Sequence, residues 1–131
     1  MWQNLGGRVV SASPGKVMLE ADLTVAAHGF PTRHGPIVHG GALAALADCA
    51  LASAAATLAS IQEVPTTSSL SIDFYRPAQP GLLRARAEAR HRTSRLAYCH
   101  ATIEQEDGTV VAEGRAVMYF VQVPASSEPG G

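Results

Sequence analysis

The chain is poor in net charge. Lys and Arg number 10 against 11 Asp and Glu, a formal net charge of −1 at pH 7. A nucleic-acid-binding surface needs a strong basic excess, so that class of partner is excluded. Cysteine is scarce as well. Cys49 and Cys99 stand far apart and neither belongs to a CxxC pair, which leaves reduced thiols in a cytoplasmic protein as the plain reading. The first residues lack the basic, apolar and small-residue succession of a signal peptide. One hydrophobic run, Gly40 to Ile61, is long enough to raise the transmembrane question. It is mostly alanine, however, and Asp48 near its middle costs about 2.5–3.5 kcal/mol at the centre of an inserted helix. No membrane span is expected.

What remains is a 131-residue chain, 47% hydrophobic, of a size that suits one soluble domain with a real core. The expected domain covers residues 1–123, and the Pro/Ser/Gly-rich stretch 124–131 is expected to be a disordered tail. Arg8 to Ser13 and Lys16 to Thr24 read as strands joined by the turn Pro14-Gly15, with Val17, Leu19, Ala21 and Leu23 on the apolar side. Ala26 to Val38, punctuated by Gly29, Pro31, Gly35 and Pro36, reads as a loop. The run after it reads as a helix with Leu43, Ala47, Ala50, Ala54, Leu58 and Ile61 on one face.

Four strand-like stretches follow. Thr67 to Arg76 turns Leu70, Ile72 and Phe74 inward and is ended by Pro77. Gly81 to Arg92 is next, then Arg95 to Gln105 with Ala97, Cys99, Ala101 and Ile103 on one face. Asp107-Gly108 marks a hairpin, and Thr109 to Val123 returns with Val110, Ala112, Ala116, Met118 and Phe120 inward. A hairpin, one helix and a four-stranded meander make an α+β fold with an antiparallel sheet. A single helix of this length needs a curved sheet around it to bury most of its circumference.

The chemistry concentrates in His39-Gly40-Gly41-Ala42-Leu43-Ala44-Ala45-Leu46-Ala47-Asp48. Asp48 is the only charged residue between Gly40 and Ile61, and a lone carboxylate on an apolar helix is costly to bury unless something holds or uses it. The competing plain reading places it at the solvated edge of an amphipathic helix. Gly40 and Gly41 let a ligand approach the helix N-terminus closely. There unpaired amide N–H groups and the positive end of the dipole suit an oxyanion.

These residues resemble the signature of hotdog-fold acyl-CoA thioesterases, in which His-Gly-Gly is followed by Leu-Ala-Asp with the acid nine residues after the His. The nearest group is the phenylacetate-pathway and hydroxybenzoyl-CoA type. The resemblance runs from about Val9 to Val121 and includes Thr67 to Ala78, similar to the family strand ending in Arg-Pro-Ala. It implies a hotdog fold, one long central helix wrapped by a curved antiparallel sheet of five to six strands. It also implies hydrolysis of an acyl-CoA thioester to free acid and CoA, with no cofactor and no metal.

Under that reading the Gly40 amide polarises the carbonyl, with Gly41 beside it on the substrate. Asp48 is general base or nucleophile. Thr67 falls where relatives often carry a hydroxyl near the carboxylate, although an ordinary strand-initiating threonine is an equal reading. His39 fixes the loop entering the helix or helps polarise the carbonyl. Arg33 stands where the family often has an amide side chain, and Arg95 is the expected contact to the CoA nucleotide. Arg84, Arg86, Arg90 and Arg92 share one strand parity and would form one face, either phosphate-binding or simply solvated. His28 and His34 lack metal-site spacing and read as solvated or structural. Eight residues from Gly40 to Asp48 span about 12 Å of helix, so one carbonyl cannot meet both on the same chain. The implied assembly is therefore a homodimer or homotetramer with composite sites. Two alternatives share the fold: a hotdog module that binds acyl-CoA without hydrolysing it, and a dehydratase-like enzyme, whose His-Phe-Pro is faintly matched by His28-Gly29-Phe30-Pro31.

Overall fold

Every alternating apolar stretch of the sequence is a strand in the computed structural model, which describes residues 7–124. The elements run β1 (Gly7–Ser13), β2 (Lys16–Leu23), α1 (Val25–His28), β3 (Gly29–Thr32), β4 (Gly35–Val38), α2 (Gly40–Ala56), β5 (Glu63–Phe74), β6 (Gly81–Arg92), β7 (Leu96–Gln105) and β8 (Val110–Gln122). Six strands form one antiparallel sheet in the order β1-β2-β6-β7-β8-β5, so the expected four-stranded meander is corrected to a three-stranded one, β6-β7-β8, with β5 crossing over to pair with β8 at the edge. The sheet wraps α2 in the expected hotdog arrangement. No helix among the described residues is long and apolar enough to cross a membrane. Apart from Pro124, the expected tail lies outside the described residues.

The core forms where the period-two strands meet the helix. Val17, Leu19, Ala21 and Leu23 of β2, Leu83, Ala85 and Ala87 of β6, and Ala97, Cys99, Ala101 and Ile103 of β7 are all buried against α2. Gly114 of β8 marks the closest approach. A Cβ there would lie 2.9 Å from Ile72 Cδ1 and 3.6 Å from both Ala47 Cβ and Leu51 Cδ1. A larger residue would push the helix away.

Further expectations are corrected. The stretch 26–38 is not an irregular loop. It holds the single-turn α1 and the two-stranded ribbon β3–β4. Thr24 Oγ1 accepts the Ala27 N–H, and His28 Nδ1 accepts the Thr24 N–H at 3.0 Å, so local capping makes the turn. Gly29 is required in the ribbon because a Cβ would sit 2.3 Å from the Ile37 carbonyl oxygen.

The helix is also shorter and more completely wrapped than its periodicity suggests. It ends at Ala56, leaving Ile61 fully exposed, and it buries Leu43, Leu46, Ala47, Ala50, Leu51, Ala54 and Ala55. Leu46 and Leu51 lie off the expected face. A sheet curved around a helix covers more of it than one stripe.

The arginine row does not share a face. The register of β6 against β7 shifts between Ala89 and His91, and one inserted residue sends every later side chain to the opposite side. Arg92 therefore turns inward, stacking 3.9 Å over the Phe120 ring and pairing with Glu63 at 2.7 Å. The others are committed to carboxylates: Arg84 to Glu20 and Glu104, Arg86 to Glu104, and Arg90 to Glu88.

Finally, Leu70 and Phe74 pair with Ala116 and Ala112 and so point to the helix side, yet they are 38% and 52% exposed. β5 is an edge strand, and only its Ile72 is packed against the core. In β8 a second register shift, between Ile103 and Glu104, buries Val111 where Val110 was expected.

Candidate active site

The carboxylate and the hydroxyl singled out in the sequence meet. Thr67 Oγ1 lies 2.7 Å from Asp48 Oδ1 and 3.5 Å from Met118 Sδ. The first contact is a short charge-assisted hydrogen bond, and it joins α2 to the edge strand β5. The β5–β8 register shifts between Thr67 and Ser69, so a bulge sits beside the threonine. Asp48 is half-buried and Thr67 exposed. The carboxylate is thus held by a partner while remaining partly accessible.

The helix N-terminus is a second, separate feature. His39 is the N-cap, and its side chain makes no capping hydrogen bond. Its backbone N–H donates to the His28 carbonyl at 2.7 Å, and its ring lies 4.7 Å from that of Phe30. These contacts fix the entry to α2. His28 itself is buried, a structural residue rather than a solvated one. Gly40 and Gly41 are exposed, and among the described residues their N–H groups have no backbone acceptor. Phe74 closes one side: a Cβ on Gly40 would meet its ring at 3.5 Å. A cavity of about 370 Å³ opens there, lined by Ile37, Val38, Leu43, Phe74 and Pro77 among others. The Val38 N–H, bonded to the Ala78 carbonyl at 2.8 Å, ties the β5–β6 connection to the strand that leads into the helix.

The two expected arginines are brought to neither feature by any recorded contact. Arg33 is exposed at the turn of the β3–β4 ribbon, and its guanidinium has no ion pair among the described residues. Arg95 is exposed in the turn between β6 and β7. Only its backbone is engaged, the N–H with Thr93 Oγ1 and the carbonyl with the Phe120 N–H.

Neither cysteine offers a thiolate. Burial, and then the Asp48 charge, push the Cys49 thiol up, and burial pushes Cys99 up to about 11. A raised thiol is a poor nucleophile at neutral pH. Sequence reasoning missed Phe74 as a wall of the N-terminal cavity. Its place in an alternating strand marked it for the core, and only its position on the sheet edge shows otherwise.

The sequence profile of the thioesterase superfamily matches residues 35–112. Among solved structures the chain is similar to a phenylacetic acid degradation-related protein of Ralstonia eutropha, at 28% identity over 90% of this chain and 87% of that one, with a TM-score of 0.80. It is similar to a thioesterase family protein of Silicibacter pomeroyi at 25% identity, 92% and 88% coverage and a TM-score of 0.82. It is also similar to the PaaI protein of the E. coli phenylacetic acid degradation operon at 25% identity, 94% and 86% coverage and a TM-score of 0.81. No curated protein matches it. With the profile covering more than half of the chain, and with a carboxylate and a free helix N-terminus opening off one hotdog helix, the chain belongs to the thioesterase superfamily and its reaction class is thioester hydrolysis.

Proposed function

We propose that this protein hydrolyses acyl-CoA thioesters in the cytoplasm as a homodimer, or a pair of homodimers, with composite active sites. The observation that carries the reading is the 2.7 Å contact between Thr67 and Asp48. A lone carboxylate on an apolar helix is held in place by a hydroxyl while remaining partly accessible. Asp48 acts as general base on water or as nucleophile on the thioester carbonyl. Thr67 aligns the attacking group. The Gly40 N–H, with Gly41 beside it, stabilises the developing oxyanion at the positive end of the helix. His39 holds the N-cap in place for them.

The site is composite because of length. Gly40 and Asp48 are separated by about 12 Å of helix axis. A two-fold partner with its α2 antiparallel sets Asp48 of one chain against Gly40 of the other, and β5, an uncovered edge strand, is where a second copy would pair. Arg33 and Arg95 serve the CoA phosphates. Unlike Arg84, Arg86 and Arg90, neither is occupied by a carboxylate among the described residues.

Release of free thiol from a panel of acyl-CoAs tests the reaction, with Asp48→Asn as its control. Binding without release would identify a carrier module, and hydration of an enoyl-CoA a dehydratase. Mixing subunits tests the assembly. Asp48→Asn and Gly40→Pro each disable a different half of the site, so verified heterodimers rebuild one site and recover up to about half of the wild-type activity per dimer if sites are independent. No recovery would place the whole site within one chain.

A further inference from the structure

A polar network on the opposite face of the sheet reaches the N-terminal cavity through Tyr75, which lines that cavity together with Phe74. Tyr75 follows Phe74 as β5 ends. Its hydroxyl donates to Glu113 Oε1 at 2.5 Å, and its N–H donates to the Val111 carbonyl at 2.9 Å. The other oxygen of Glu113 lies 3.1 Å from His100 Nε2. Hydrogen bonds from Tyr75 and then His100 hold the Glu113 carboxyl below the usual carboxylate range, so it is an ionised acceptor at neutral pH. Arg115 and Asp73, paired at 2.9 Å, flank it on the same face.

Tyr75 is therefore anchored through both backbone and side chain. Successive side chains of a strand point to opposite faces, so anchoring Tyr75 outward dictates where Phe74 goes. Phe74 needs that help. It is 52% exposed, and core packing alone does not immobilise it. Its ring nonetheless stands against Gly40 and walls the cavity of about 370 Å³ beside the free N–H groups.

We propose that Tyr75, held by Glu113, which His100 in turn supports, is a positioning residue that fixes Phe74 as a wall of the acyl pocket and so decides how bulky an acyl group is accepted. This rests on the reading of the helix N-terminus as the carbonyl site of an acyl-CoA thioesterase. The anchor and the chemistry lie on different residues, so each can fail alone.

The test compares kcat/KM for a short straight-chain acyl-CoA and a bulky one in wild type, Tyr75→Phe, Glu113→Ala and Glu113→Gln. Tyr75→Phe and Glu113→Ala should shift the ratio toward the bulky substrate by about fivefold or more. The change should appear in KM, with kcat for the short substrate within about twofold. Glu113→Gln still offers an amide oxygen to the Tyr75 hydroxyl and should keep most of the wild-type ratio. Phe74→Ala should shift the ratio at least as far, and adding Tyr75→Phe to it should change nothing more.

A second readout needs no activity. In protein labelled with 4-fluorophenylalanine the three rings Phe30, Phe74 and Phe120 give three fluorine resonances, assignable by substitution. Glu113→Ala, which removes the anchor without adding a phenylalanine, should move that of Phe74 alone. An unmoved Phe74 resonance, or an unchanged substrate ratio in both anchor variants, overturns the proposal. If the resonance moves but wild type releases thiol from no acyl-CoA, the thioesterase reading has failed and the pocket role falls with it.

Discussion

The two ends of α2 are built on opposite principles. At the C-terminal end the carbonyls beyond the reach of the helix ladder are taken up. Thr57 Oγ1 donates to the Ala54 carbonyl at 2.6 Å and accepts the Gly15 N–H at 2.7 Å. The Leu58 carbonyl receives Arg92, which also pairs with Glu63 and stacks on Phe120. At the N-terminal end nothing comparable happens: His39 offers no side-chain cap, no acidic residue occupies the first turn, and two glycines leave their N–H groups open. Helix ends normally satisfy their orphan groups, so an end left open is one that a ligand can complete. One end is tied into the fold and the other is left open, as the proposed carbonyl site requires.

Substitutions at the two ends, and at the carboxylate between them, should separate accordingly. The largest effect belongs to Asp48→Asn. It should lower kcat by about a hundredfold or more, the scale of general-base or nucleophilic catalysis, while thermal unfolding stays within a few degrees of wild type. Retention of wild-type kcat would remove Asp48 from the chemistry. Gly40→Pro comes next. Gly40 is the first helical residue, where proline fits the backbone and lacks only an N–H that the helix does not use. Steady-state kinetics should show a loss of about a hundredfold in kcat, as for loss of an oxyanion donor, with Tm unchanged or raised. A comparable fall in Tm would mean that the substitution merely disturbs the helix.

The reverse pattern is expected of Arg92→Ala. Tm should fall by several degrees, on the order of what loss of a shielded ion pair produces in a small domain, and the rate per folded molecule should hold. The effect should depend on pH. Arg92 first, and then the backbone N–H of Ser60, hold the Glu63 carboxyl below its usual range. The folded state therefore binds fewer protons than the unfolded one. The resulting stability is present above the ordinary carboxylate pKa and lost as pH falls through the lowered one. Melting curves of wild type should thus decline on the acid side, and in Arg92→Ala that decline should be shallower. Parallel acid limbs would contradict the assignment. Thr67→Ala should have the smallest effect, a reduction in kcat of several fold with a lesser change in KM, because an aligning hydroxyl acts mainly in the transition state. An unchanged kcat would return Thr67 to a purely structural role.

Much of this contrast was legible in the residues. The isolation of Asp48 in an alanine-rich run, the paired glycines after His39 and the hydroxyl at Thr67 all pointed to the same helix and strand, and the contact between Asp48 and Thr67 follows that expectation. What misled was local regularity. Arg84 to Arg92 alternates perfectly, but an inserted residue at the Ala89–His91 shift costs little in sequence and reverses every later side chain. Leu70 and Phe74 alternate as core residues should, yet their strand lies at an edge. The ribbon β3–β4 escaped notice because its glycines and prolines signal turns, and only its cross-strand pairing makes it regular.

By itself, then, the sequence determined the six strands of the main sheet, their antiparallel character, the single central helix and the chemical groups placed on it. Each follows from short-range rules: side-chain period, turn residues and the cost of a charge among apolar neighbours. Only the tertiary structure decided which end of the helix is closed, which arginine turns inward, which strand lies at the edge, and that Phe74 stands against Gly40. Those outcomes depend on register between strands far apart in the chain and on curvature of the whole sheet. Bulges and edges shift register by whole residues without leaving a periodic mark in the amino-acid order.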